Sequence, residues 1–187
     1  MTSNRLASLS QRMAAVTLCL MVLMLLLNAA CWWVPSLNSI EGGYGLGFSL
    51  TDSFISNLGI NFVTLPGWQK AGGMLLSSVP LLALTVGLYR LRALFQSYGR
   101  GEYFSISAAN HLGAVGRAVA YWVGLNIVCE PLLSIWLTLQ APSGHHMVTL
   151  SFGSSEIVAL FLAACIAVIA RILRQACEVN AENQQFV

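Results

Sequence analysis

The chain has 187 residues, of which 57% are apolar and only 9% charged, and its formal net charge is +2. Soluble domains carry about 25% charged residues, so water cannot be the solvent for most of this surface. A net charge this small also leaves no electrostatic footprint for nucleic-acid binding.

Four apolar segments account for the imbalance, at about residues 13–33, 74–91, 118–139 and 156–172. A helix needs about 20 residues, with about 17 tolerated, to cross a hydrocarbon core of about 30 Å. Only helices and closed barrels satisfy their backbone groups there, and these runs lack the two-residue alternation of barrel strands. The sequence predicts an all-α membrane protein, one integral domain over residues 1–187 built as a four-transmembrane-helix bundle. It predicts a longer extracytoplasmic loop between spans one and two and a cytoplasmic helical hairpin between spans two and three.

The first segment follows Arg5 and Arg12, as a signal peptide would. Its apolar run is longer than a signal core of about 7–15 residues. Ala29-Ala30-Cys31 is weakly cleavage-like, but Trp32-Trp33 reads as an aromatic anchor at the membrane interface. The expectation is a retained helix.

Orientation follows from the arginines. Arg5 and Arg12 precede span one, Arg90, Arg92, Arg100 and Arg117 lie between spans two and three, and Arg171 and Arg174 follow span four. The opposite side has only Lys70. The positive-inside rule puts both termini in the cytoplasm.

The first outer loop, residues 34–73, is rich in glycine. Phe48-Ser49-Leu50 and Ile60-Asn61-Phe62-Val63 alternate or cluster like short strands. They suggest a small lid, with Tyr44, Phe48, Phe54, Phe62 and Trp68 facing the headgroup layer. Leu65-Pro66-Gly67-Trp68 reads as a turn into span two. Ser154-Ser155-Glu156, after the second outer loop, is a capping signal for span four.

Leu88, Leu91, Phe95 and Tyr98 fall on one helical face, so span two is expected to continue past the bilayer as an amphipathic helix. Gly99 and Gly101 stop it. Ser105 or Ser107 then caps the next helix. The candidate partner-facing residues of this hairpin are Arg92, Phe95, Tyr98, Gly101 and Phe104.

Leu91-Arg92, Leu94-Phe95, Tyr98, Gly101 and Phe104, then Leu112 and Gly116, resemble the bacterial membrane family known as domain of unknown function 2975. Glu178, Glu182-Asn183 and the terminal Phe186-Val187 match it too, so the likeness runs from about Met74 to Val187. The resemblance implies a multi-pass protein of the bacterial inner membrane with four spans. It also implies a small helix-turn-helix regulator as the candidate cytoplasmic partner. The chain departs from the family pattern at Ala108, Ala109, Asn110, His111, Gly113 and Ala114, where members carry charge.

The strongest chemical signal lies inside span three. Asn126, Glu130, Ser134 and Thr138 recur every four residues and form one polar stripe. A mid-helix carboxylate costs about 2.5–3.5 kcal/mol on insertion scales, so Glu130 is expected to face the bundle interior. Pro131 frees a carbonyl beside it. With Asn28, Ser77 and Ser78 at comparable depth, the set Asn28, Ser77, Ser78, Asn126, Glu130 and Ser134 is a candidate outward polar pocket. Two readings stay open: interhelical hydrogen bonding by a protonated Glu130 beside a proline kink, or a ligand, proton or ion site.

Other residues are quieter. His145-His146 lack further ligands for a metal, and His111 reads as an interfacial residue. Five cysteines contain no C-x-x-C pair; Cys19, Cys129 and Cys165 are expected to pack within spans. Gly116, Ala120 and Gly124 on span three, and Ala159, Ala163 and Ala167 on span four, are spaced for close helix approach. Either stripe would also serve a homo-oligomer. No hydrolase, metalloprotease or phosphate-loop motif occurs, and no cofactor or metal is expected. The leading expectation is a non-enzymatic membrane protein that senses at the polar pocket and engages a cytoplasmic partner. The alternative is a subunit of an oligomeric small transporter or channel.

Overall fold

The computed structural model describes residues 2–34, 66–101, 105–139 and 153–185. These form four helices: α1 (Thr2–Trp33), α2 (Gly67–Gly99), α3 (Ile106–Thr138) and α4 (Ser154–Gln185). All four are long and apolar enough to cross a membrane. Each has 32 or 33 residues, about 48 Å of helix against about 30 Å of hydrocarbon. The helices therefore outrun the apolar segments that mark them. The predicted strand-like lid and His145-His146 lie outside the described residues.

Local chemistry sets the helix ends. The Pro66 carbonyl accepts from the backbone of Gln69 (3.0 Å) and Lys70 (3.2 Å), starting α2 where a missing N–H is harmless. Of the two expected caps for α3, Ser105 is the one used: its Oγ accepts from Ala108 N at 3.1 Å and its carbonyl from Ala109 N at 3.1 Å. Past the end of α2, Gly101 adopts φ 87°, a left-handed conformation that side chains with a Cβ resist. The expected capping run of span four sits one position late. Gly153 precedes α4, so Ser154, Ser155 and Glu156 already lie in its first turn. Pro80 and Pro131 both lie within helices and end neither.

The described helices contribute to two compact units. The first comprises Met1–Met21, Ala83–Tyr121 and Ser154–Val187, and contains all eight arginines. Its core is made of small residues: Ala14, Ala108, Ala109, Ala118, Ala163 and Ala170 are buried, with Leu94 and Cys177. A Cβ on Gly116 would reach the Ala163 carbonyl at 3.0 Å, so α3 and α4 touch almost backbone to backbone. The expected stripes hold only in part. Gly116 and Ala163 are buried, but Ala120, Gly124 and Ala167 are exposed. A four-residue spacing drifts about 40° per step around a 3.6-residue helix. The buried seam of α4 is instead Ala163, Ala170 and Cys177, at the seven-residue period that holds one face. Phe161, Leu162, Ile169 and Ile172 are exposed, as a lipid-facing surface requires.

The expected face on the continuation of α2 is rotated by one position. Leu94 and Ser97 are the buried residues, whereas Leu91, Phe95 and Tyr98 are half-buried. Gly99 lies against α1, where a Cβ would sit 3.6 Å from Gln11 Cγ and 3.9 Å from the Ala7 carbonyl. Arg92 is half-buried, and its Nε has no hydrogen-bond partner among the described residues. Phe104 lies outside the described residues.

Candidate functional site

The second unit comprises Val22–Leu82 and Trp122–Gly153. All six residues of the candidate pocket belong to it: Asn28 on α1, Ser77 and Ser78 on α2, and Asn126, Glu130 and Ser134 on α3. Five of them are buried, and Ser78 is half-buried.

The α1–α2 half of the set is a hydrogen-bond chain. Trp32 Nε1 donates to Ser77 Oγ at 3.0 Å, and Ser77 Oγ lies 3.3 Å from Asn28 Oδ1. Asn28 Nδ2 donates to Ser78 Oγ at 3.1 Å, and Ser78 Oγ donates to the Met74 carbonyl at 2.7 Å. The single Ser77 hydroxyl proton chooses between Asn28 Oδ1 and the Met74 carbonyl 3.1 Å away. Asn28, Ser77 and Ser78 thus satisfy one another across the helix pair. Trp32 is only 1% exposed and belongs to this core, not to the interface. Trp33, 63% exposed, is the residue that fits the expected anchor.

The α3 half is arranged differently. Asn126, Glu130, Ser134 and Thr138 are all buried, so the stripe turns inward over its whole length. Ser134 Oγ donates to the Pro131 carbonyl at 3.2 Å and Thr138 Oγ1 to the Ser134 carbonyl at 2.8 Å. Both hydroxyls thus donate to carbonyls of their own helix. Glu130 is buried and has an interaction partner. Among the described residues, Asn126 Oδ1 is buried without a donor, and Trp122 Nε1, one turn earlier, without an acceptor.

Sequence reasoning missed Gln69. It is fully buried, and its Nε2 donates to the carbonyls of Trp136 and Leu137, both at 2.9 Å. These belong to the last turn of α3, whose carbonyls have no donors within the helix. Gln69 is thus a side-chain cap for another helix. Trp136 Nε1 returns a bond to the Gln69 carbonyl at 3.1 Å, and the Trp68 and Trp136 rings meet edge to face at 5.6 Å. The signal was a glutamine just before the Gly72-Gly73 pair, in a stretch with no apolar run to mark a helix. Cys31 and Cys129 are buried, while Cys19 is exposed and is not the packing residue expected.

The sequence profile that matches is described as protein of unknown function (DUF2975), and it covers residues 4–187. The chain belongs to the DUF2975 family. Membership thus takes in α1 and the first loop as well as the region from Met74 onward that carries the motif likeness. Neither the curated proteins nor the solved structures yielded a match. For this DUF2975 protein the arrangement offers a satisfied polar clasp between α1 and α2, and a buried polar stripe on α3 with unmet hydrogen-bonding capacity.

Proposed function

We propose that this protein is a regulatory or interaction protein of the bacterial inner membrane. Its buried α3 stripe senses a small ligand, and its cytoplasmic surface engages a partner. The observation that carries the reading is the stripe itself. Polar side chains buried in an apolar helix are costly, and here some of that cost is left unmet. The lengths of α2 and α3 support the partner half, since both helices continue well beyond their apolar runs toward the connection at residues 100–105. A small helix-turn-helix regulator is the partner of choice, and no catalytic role is assigned. An oligomeric transporter subunit is the competing reading, and flux through vesicles containing the purified protein would establish it.

Capture of a partner tests the proposal. Phe95 is half-buried, so Phe95→Asp places a charge on the α2 continuation without opening the core. The expected result is normal membrane insertion with at least about tenfold weaker capture of the regulator, equivalent to about 1.4 kcal/mol. Unchanged capture removes this surface from the proposal.

Orientation is checked separately, in a background without native cysteines. With Tyr98→Cys and His145→Cys made singly, an impermeant thiol reagent on intact cells is expected to label position 145 and spare position 98. Labelling at 98 with protection at 145 would reverse the topology.

A further inference from the structure

Trp122 and Asn126 lie one turn apart on α3, and each holds a polar atom that no described residue satisfies: an indole N–H without an acceptor and an amide oxygen without a donor. Asn126 is only 8% exposed. A buried unpaired group costs about 1–3 kcal/mol, and hydrocarbon offers no partner. One turn further lies Glu130, 6% exposed. Pro131 has no N–H to give the Ile127 carbonyl. Residues four apart share a helix face, with Cβ atoms about 5–6 Å apart. Donor, acceptor and carboxyl therefore follow one another on successive turns of α3, each step rotated by about 40°.

Each class of occupant can be weighed against that order. An anion would accept from Trp122 but would confront Asn126 Oδ1 and Glu130. A divalent metal would leave the indole unmet, and no group of three or more His, Cys, Asp or Glu residues occurs among the described residues. A hydroxyl suits the first pair, accepting from Trp122 Nε1 while donating to Asn126 Oδ1. An ammonium suits the next position, donating to the Ile127 carbonyl and facing Glu130 in a charge-assisted contact. We propose that Trp122, Asn126 and Glu130 bind a small amino alcohol, hydroxyl between Trp122 and Asn126 and ammonium at Glu130. One helical turn of about 5.4 Å sets its spacer at about three carbons. This deepens the reading of the stripe as the sensing element and rests on it.

The test uses the intact protein in nanodiscs. Its thermal unfolding is followed against aminopropanol, propylamine, propanol and hydroxypropionate at one pH and ionic strength. Aminopropanol is expected to raise Tm saturably, at concentrations about tenfold or more below those propylamine or propanol need; hydroxypropionate should have no effect. Trp122→Phe and Asn126→Leu should each weaken the aminopropanol response about tenfold. A wild-type protein that ignores all four compounds, or responds to them equally, overturns the proposal. So does a preference that survives in both variants. Partner capture is read independently. Capture without an aminopropanol response overturns only this ligand assignment; a response without capture overturns only the partner reading.

Discussion

Gly73→Ala is expected to destabilise the protein by about 1–3 kcal/mol, with Gly72→Ala in the same range. A Cβ on Gly73 would clash with the Trp32 ring, and one on Gly72 with the Trp136 ring. Neither indole can simply swing away. Trp32 is held by its bond to Ser77 Oγ at 3.0 Å, and Trp136 by its bond to the Gln69 carbonyl at 3.1 Å. Consecutive glycines point to different faces of α2, so each accepts an indole from a different neighbour, α1 at Gly73 and α3 at Gly72. In lipid such close contact replaces the hydrophobic drive that joins helices in water. The check is a double-mutant cycle in nanodiscs. Trp32→Leu should itself destabilise, but adding Gly73→Ala to it should cost markedly less than in the wild type. Additive losses would show that the Trp32–Gly73 contact does not limit the packing.

The two indole seats also mark where sequence reading stopped. The four spans were legible from length and composition alone, because a water-soluble fold rarely needs an apolar run of bilayer length. The helix ends were harder. Beyond the apolar core, α1, α2 and α4 continue through residues such as Arg12, Gln69 and Arg174. Backbone hydrogen bonding carries a helix past the point where hydropathy falls. Facing was harder still. A helix apolar all round does not announce its inward side, so Phe95 was favoured over its buried neighbour Leu94. Polar residues escape this ambiguity, because a wrong orientation in hydrocarbon is costly. Hence the inward turn of Asn126, Glu130, Ser134 and Thr138 was legible from spacing alone. Which of them are satisfied was not, since Ser134 and Thr138 bond to their own helix while Asn126 Oδ1 does not.

Glu130 separates the two readings of the stripe, and its variants should divide cleanly. Glu130→Leu is expected to destabilise the protein by about 1–3 kcal/mol, because removing one member of a buried polar contact leaves the other without a partner. Glu130 has such an interaction and is 6% exposed, so the loss is not made good by water. Glu130→Gln keeps the volume and an acceptor oxygen, so it should destabilise clearly less than Glu130→Leu. What the amide cannot supply is charge. If the carboxylate meets an ammonium, the glutamine variant should fold normally and lose the aminopropanol response about tenfold or more, since a charge-assisted bond becomes a neutral one. If Glu130 is only a helix-to-helix contact, the glutamine variant should match the wild type in every assay. Measuring Tm and ligand response on both variants in one nanodisc preparation distinguishes these outcomes. A Leu variant as stable as the wild type would remove the structural contact from the account. A Gln variant with full ligand response would remove the charge.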